Sequence, residues 1–493
     1  MRKHVGYLTK GVAIYGAGDA AIQIVNLLLL AVYVRGGFLG AADYGALASL
    51  IAVETLAKVL SRFGLDGAFM RFYHDRTGDG TLARLTSTLV FFLLAVNAAI
   101  AVAAIALAGP IGDALIGASA YVPAMRLMFA NTCLLSVTFV PFHLMRMRDQ
   151  AVTYSAFVFA RSVGTVVLRI VTVIGLGMGV TGMYLSDLLV TIALFPFLWP
   201  WFRPLVGGAF SREDLGAALR FGLPRVPHGL AQQALDAGNK LLLNTYVPLE
   251  RLGVYLNGVT LGAGIRFFTS AFETAWAPFY YATARDANAR TTLAKMTTYG
   301  VAVLALLVAV TSAVARDAVL VLLSPEWIDA ARVMPFIAIG LGFQGVYLLT
   351  SIGLNITSNT KYYPVATFAA LGVGLGSGVW LMPTYGVHGA ALAFMLSFAT
   401  QTSVAFVLAR RVYPIPYESG RLARVVTAAT VAAVAGLWLV PAFAPIVGLF
   451  LRAAVVVAVY GLLLWASGFM RTTERAFLKE NLRALRALRG LRG

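Results

Sequence analysis

Charge and cysteine are what this chain has least of. Asp, Glu, Lys and Arg together make up 12% of its 493 residues, against about 25% in an ordinary soluble domain. Hydrophobic residues reach 59%, where about 45–50% is usual. A chain of this length with so little charge cannot cover a globule with polar surface, and the reading that fits is a membrane protein. Cys133 is the single cysteine, which excludes a disulfide scaffold and a thiolate metal cluster. It lies in an apolar run and reads as an inert thiol facing lipid or core. No Asp-x-Asp pair and no Ser/His/Asp cluster stands out, and the loops expected outside are short, which argues against a membrane polymerase, ligase or glycosyltransferase. The formal charge is +18 and the pI about 10.1. In a soluble protein that balance would suggest nucleic acid; here the placement of the charges has to decide. Met1-Arg2-Lys3-His4 is basic, but the apolar stretch after it is long and lacks a small-residue cleavage site, so no cleavable signal peptide is expected.

A membrane span needs about 20 mostly apolar residues. Such runs fall near 11–34, 43–66, 85–108, 121–145, 151–176, 181–202, 220–247, 253–280, 296–318, 332–356, 363–383, 386–409, 424–444 and 446–468. Turn chemistry separates them, as at Gly36-Gly37, Pro248, Pro325, Pro383 and Pro414-Ile415-Pro416. With the N-terminus inside, 26 Lys and Arg fall on inside segments and four (Arg35, Arg251, Arg316 and Arg332) on outside loops. Because Lys and Arg resist translocation, this asymmetry predicts cytoplasmic termini and an even number of spans.

The other nine cations lie within spans: Lys58, Arg62, Arg126, Arg161, Arg169, Arg225, Lys240, Arg266 and Arg452. Six carboxylates accompany them: Asp19, Glu54, Asp66, Asp187, Asp236 and Glu273. Each charge near a span's centre costs about 2.5–3.5 kcal/mol on insertion scales, so most should face a polar interior and not lipid. Arg126 and Arg452 read as peripheral.

The halves repeat at a shift of 207–211 residues. Asp43-Tyr44-Gly45 parallels Arg251-Leu252-Gly253, Phe72-Tyr73 parallels Phe279-Tyr280, and Gly179-Val180-Thr181-Gly182 parallels Gly386-Val387-His388-Gly389. The expected fold is an all-α polytopic membrane protein of about fourteen helices. Two parallel six-helix repeats form lobes around a central cavity, followed by two extra helices. The expected divisions are an N-lobe at 1–205, a C-lobe at 206–413, the extra pair at 414–470 and a basic cytoplasmic tail at 471–493. Parallel repeats are related by an axis along the membrane normal, and transporters with such halves bind their cargo between them.

Three stretches carry a family resemblance. The first runs from Asp43-Tyr44-Gly45 through Gly64-Leu65-Asp66-Gly67-Ala68 to Arg71-Phe72-Tyr73. The second joins Arg220-Phe221-Gly222-Leu223-Pro224 and Pro227-His228-Gly229-Leu230 to Leu252-Gly253-Val254-Tyr255 and Ala271-Phe272-Glu273-Thr274-Ala275-Trp276-Ala277-Pro278. The third is Pro383-Thr384-Tyr385-Gly386-Val387-His388-Gly389-Ala390-Ala391 with Tyr413-Pro414-Ile415-Pro416-Tyr417-Glu418. In these the chain resembles the polysaccharide transporters, the Wzx-type O-antigen flippases of the multidrug/oligosaccharidyl-lipid/polysaccharide superfamily. The resemblance implies a flippase, not an enzyme, in the bacterial inner membrane. It would move oligosaccharide repeat units on undecaprenyl pyrophosphate from the inner to the outer leaflet for surface polysaccharide synthesis. Implied partners are the lipid-linked oligosaccharide, anionic membrane lipids, a polysaccharide polymerase and a chain-length regulator, with no nucleic acid. No cofactor is implied beyond coupling to H+ or Na+. A peptidoglycan-precursor flippase and a cation-coupled drug exporter of the same superfamily are the rival readings; the second would favour a net negative cavity.

The candidate site is built from the buried charges. Glu54, Lys58 and Arg62 share a stripe at i, i+4 and i+8, either as an internal pair plus a cation reaching the headgroups or as a cationic mouth for a diphosphate. Arg161 and Arg169 share a face with no acidic residue in their own span, and arginine's planar fork suits phosphate. Pro224 and Pro227 interrupt regular helix beside Arg225 and His228, and Asp236 and Lys240 follow at i, i+4. Arg266 matches Lys58 across the repeat, which suggests two cationic walls facing each other, with Glu273 one heptad on and able to neutralise it. Lys58, Arg62, Arg161, Arg169, Arg225, Lys240 and Arg266 are thus the candidate contacts for an anionic head, and Asp19, Glu54, Asp236 and Glu273 the candidates for ion coupling and gating. In the tail, Leu482, Leu485, Leu488 and Leu491 alternate with arginines in a pattern suited to an anionic leaflet.

Overall fold

The computed structural model describes residues 25–470 except 79, 80, 149 and 442. Asp19, most of the first expected span and the basic tail lie outside the described residues. Within them the chain is helical throughout, without strands. The first half comprises α1 (Val25–Arg35), α2 (Ala41–Arg62), α3 (Leu65–Gly78), α4 (Leu82–Ala106), the short α5 (Ala108–Leu115), α6 (Val122–Met147), α7 (Ala151–Arg169) and α8 (Gly179–Phe202). The second comprises α9 (Arg212–Gly222), α10 (Val226–Asn244), α11 (Leu249–Gly262), α12 (Ile265–Thr283), α13 (Ala289–Leu322), α14 (Asp329–Thr350), α15 (Ile352–Ile356) and α16 (Tyr362–Val412). A hairpin of α17 (Ser419–Trp438) and α18 (Pro445–Ala466) closes the described chain.

Among the described residues, ten segments are long and apolar enough to cross a membrane, and the chain is a multi-pass membrane protein. The other expected spans are α1, the polar seventh at α10, the eighth at α11–α12, and a second pass within α16. That 51-residue helix reverses at Gly386 (φ 51°, ψ −124°), where only glycine escapes a Cβ clash. Its two arms lie side by side, Ser397 Oγ donating to the Ala370 carbonyl at 3.0 Å.

Two of the expected spans are each built from two helices. The second breaks between α2 and α3 at Phe63 (φ 50°) and Gly64 (φ 69°), and the eighth breaks between α11 and α12 at Ala263–Gly264. The seventh starts later than expected. α9 is a separate helix capped by Ser211, whose hydroxyl accepts from Asp214 N at 3.1 Å, and Leu223–Arg225 turns into α10. Prolines 224 and 227 sit in the first turns there, where their missing N–H is no loss.

The halves meet through glycines, and the repeat spacing appears in their contacts. A Cβ on Gly45 of α2 would strike the backbone of Leu249, and one on Gly253 of α11 would strike the backbone of Ala41. Gly253 stands 208 residues after Gly45, and Leu249 stands 208 after Ala41. The two contacts are therefore one contact seen from each side of a pseudo-two-fold axis. The same shift carries the hydrogen bond from Tyr121 Oη to Asp43 Oδ1 (3.0 Å) onto the Arg251–Asp329 ion pair (2.7 Å). Near the opposite end of α2, Gly222 comes against the Gly64 carbonyl, which a Cβ would approach to 2.8 Å.

The α17–α18 hairpin corrects one expectation. Arg452 is not peripheral: its side chain is 9% exposed, and its Nε donates to Asp317 of α13 at 2.8 Å. Its Nη1 also reaches the carbonyls of Gly436 and Leu437 at 3.2 Å. The carboxylate lies 135 residues away, so no helical spacing could announce it. Small residues around the pair (Ala309, Ala313, Ala428, Ala432) let the three helices approach closely.

If the α2–α11 crossing depends on glycine, Gly253→Leu should destabilise the fold by about 1–3 kcal/mol or more, because the obstructing atoms are backbone. Gly372→Leu, on an exposed face with nothing within 4 Å, should not. Thermal melting of the purified protein in detergent would separate the two.

Candidate functional site

A cavity of about 650 Å³ lies between the halves, in the part of the interface between the Gly45 crossing and the α3 end. α2 and α3 line it on one side and α10 on the other. Three cations project into it, Lys58 and Arg62 from α2 and Arg225 from the turn before α10, together with His143 of α6 and His228 of α10. Asp66 is the one carboxylate in the lining among the described residues; it stands 3.8 Å from Arg62. Lys58 and Arg62 also line an adjoining pocket of about 150 Å³ that reaches Arg161 of α7. The combined space holds four cations against one lining carboxylate.

Each cation is placed by its helix. Lys58 pairs with Glu54 at 2.6 Å, the expected i, i+4 partner, yet its side chain stays 41% exposed. Arg225 reaches across the interface: its guanidinium lies over Gly67 of α3, where a Cβ would come within 2.5 Å, and 5.3 Å from the Phe221 ring centroid. A glycine at 67 is what lets a cation of the second half stand in the wall of the first.

Two predicted residues sit elsewhere than expected. Arg169 is not partnerless, since its Nη2 donates to both carboxylate oxygens of Asp187 at 2.9 and 3.0 Å. Asp187 belongs to α8, so a scan of Arg169's own span could not reveal it. α7 then ends in a π-helical turn, Ile170–Gly175, beside α8; Thr172 Oγ1 there reaches the Gly182 carbonyl at 2.9 Å and Ser186 at 2.8 Å. Arg161 is the member of the pair with no carboxylate within 4 Å among the described residues.

Arg266 does not form a second wall facing Lys58. Each stands seventeen residues past the first residue of its span, Ala41 or Leu249, but the chain breaks before Arg266 and after Lys58. Arg266 instead stands 3.9 Å from Asp236, which binds Lys240 at 3.0 Å. The Asp236–Lys240 pair of the sequence reading is formed, and Arg266 is its third member. Glu273 lies exposed on α12 and is not the carboxylate beside Arg266.

Sequence reasoning missed His143, Gln232 and Gln233, which line the cavity, because a lone His or Gln in a span carries no pattern. Gln232 and Gln233 could have been found: they fall at i+7 and i+8 from Arg225, on the stripe that continues to Asp236 and Lys240.

A family model described as "polysaccharide biosynthesis protein" matches residues 36–332. No curated protein matches the chain in sequence. Among solved structures it resembles the lipid II flippase MurJ in an inward closed conformation, with a TM-score of 0.67 at 13% identity, covering 92% of this chain and 98% of that one. An inward-facing multidrug resistance MATE family transporter of the MOP superfamily gives 0.58 at 17% identity, over 84% and 99% of the two chains. The bent form of the Vibrio cholerae MATE transporter VcmN gives 0.55 at 13%, over 83% and 97%. At these identities the likeness is one of fold.

Asp236 tests the pairing inside α10. Asp236→Asn leaves Lys240, whose side chain is 6% exposed, facing no full negative charge, at a cost of about 3–5 kcal/mol. The Asp236→Asn/Lys240→Met double variant should recover most of the loss, read as melting temperature in detergent. On the match over residues 36–332, more than half its length, and with the fold shared with those transporters, the chain belongs to the polysaccharide biosynthesis protein family.

Proposed function

We propose that the chain is a flippase for oligosaccharide carried on a polyprenyl diphosphate lipid, working by alternating access of its two halves. The observation that carries this reading is the cavity between the halves, where Lys58, Arg62 and Arg225 stand with Arg161 just beyond and one carboxylate among them. A diphosphate is the anion that arginine forks and a lysine suit, and a lipid tail can stay in the bilayer while its head occupies the cavity. The excess of Lys and Arg on the Arg62 end supports an orientation with that end at the cytoplasmic face of the inner membrane, where such a lipid would be made. Coupling to H+ or Na+ would act through Glu54 or Asp236, the carboxylates already paired with Lys58 and Lys240. A polymerase and a chain-length regulator would take the product on the far side.

The lining charge speaks against export of cationic drugs, which would need the opposite sign. Flipping a peptidoglycan precursor is chemically close, and the shared fold of the lipid II flippase keeps it as the second reading. Deleting the gene should leave lipid-linked oligosaccharide accumulating on the cytoplasmic face, while normal surface glycan in the deletion strain would sink the proposal. Rescue of a strain lacking its peptidoglycan-precursor flippase would favour the second reading. Arg225→Gln and Arg161→Gln, in protein that still melts near the wild-type temperature, should each cut transport by about tenfold or more, in keeping with charge-assisted hydrogen bonds of about 1.5–3 kcal/mol.

A further inference from the structure

The α10 stripe changes character along its length. From the Leu223–Arg225 turn inward, one face carries Arg225, then His228, then Gln232 and Gln233, then the Asp236–Lys240 pair. At 1.5 Å per residue, Gln232 stands about 10 Å deeper than Arg225. Along α10 the cavity wall is thus cationic at Arg225 and neutral but hydrogen-bonding at Gln232 and Gln233, with Lys58 and Arg62 on the facing α2.

Gln232 is held in one orientation. Its Oε1 accepts from Gln401 Nε2 at 2.9 Å and from Thr367 Oγ1 at 3.2 Å. Both partners are fully buried, one on each arm of α16. With its oxygen engaged on that side, the amide nitrogen is the end left toward the cavity, and among the described residues Nε2 donates to nothing. A buried polar pair that fixes an uncharged donor in a cavity wall is an expensive arrangement for packing alone, since burying these groups gains nothing over apolar residues of the same shape.

We infer that Gln232 is a saccharide contact and Gln401 its positioning residue, so that the head group binds with its phosphates at Arg225 and its sugar hydroxyls at Gln232. This rests on the flippase reading above and adds an orientation to it. Hydroxyl-rich, uncharged groups are recognised by fixed amides, because a site built to hydrogen-bond a hydroxyl rejects a ligand lacking one; phosphates are recognised by the cations at the other end of the stripe. Gly229, between the two zones, keeps α10 close to α2: a Cβ there would come 3.3 Å from Val59 Cγ1.

The test uses the full chain in lipid nanodiscs and two probes, a polyprenyl diphosphate and the same lipid bearing one N-acetylhexosamine, with Kd read by native mass spectrometry. Wild type should bind the glycosylated lipid more tightly. Gln232→Met should lower that preference about fivefold to tenfold while leaving the Kd of the bare diphosphate within about twofold, a loss in the range of one or two neutral hydrogen bonds. Gln401→Leu should do the same without touching ligand, and Gln232→Ala serves if the first variant melts early. Arg225→Gln should weaken both probes by the same factor. Equal weakening of both lipids by Gln232→Met, or none, overturns the inference. Wild type that binds both probes equally overturns it too but leaves the diphosphate reading standing. Wild type that binds neither overturns both.

Discussion

A charge carried into a membrane span has no water to solvate it, and every arrangement in the interior of this protein answers to that constraint. Three answers occur. Some cations find a carboxylate one turn away, as Lys240 does at Asp236. Others find one on a neighbouring helix, as Arg169 does at Asp187 and Arg452 at Asp317. Others project into the space between the halves, where Lys58, Arg62 and Arg225 line a cavity of about 650 Å³, Lys58 with Glu54 and Arg62 with Asp66 beside it. The second kind fixes helices to one another, the first neutralises a charge within its own helix, and breaking either leaves an uncompensated charge. Only the cations on the cavity wall can meet a ligand, and what sets them apart is that they face this space, with or without a carboxylate alongside.

The cavity exists because the halves touch elsewhere. Glycines take the close contacts: Gly45 and Gly253 across the pseudo-two-fold crossing, and Gly64 with Gly222 nearer the other end. Between these points the helices diverge. The break after Arg62 bends a span that lines the cavity and the break after Gly262 bends its counterpart in the second half, and α9 ties the halves outside the cavity, its buried Asp214 taking Arg76 at 2.6 Å and Arg84 at 2.8 Å. A duplicated sequence has thus produced two bundles that meet symmetrically near one end, while the interior they enclose is asymmetric. Lys58 remains in the cavity wall, whereas Arg266, at the same depth in the second half, is drawn to Asp236.

Much of the architecture was legible beforehand. Long apolar runs must be helical, since in lipid each backbone group needs a partner within its own segment, so span positions followed from hydropathy. The repeat followed from Asp43-Tyr44-Gly45 and Arg251-Leu252-Gly253, whose glycines prove to be the crossing itself. The i, i+4 pairs at Glu54–Lys58 and Asp236–Lys240 were legible because helix geometry dictates them. Arg452 and Arg169 were misread for the opposite reason: their carboxylates lie on other helices, 135 and 18 residues away. The start of α10 was displaced because α9 is amphipathic and joins it through a tight turn, which hydropathy blurs into one run.

What the sequence by itself determined is what local chemistry and the solvent dictate: a polytopic helical membrane protein, a twofold repeat, and an interior richer in cations than in carboxylates. What only the tertiary structure decided is which of those cations remain available. Pairing between helices depends on distances that span residues far apart in the chain, and a periodic pattern in one helix holds no information about what faces it. The fold therefore assigned Arg169, Arg266 and Arg452 to carboxylates, left Arg62, Arg161 and Arg225 beside the cavity, and turned Gln232, unremarkable in the sequence, into an oriented donor on its wall.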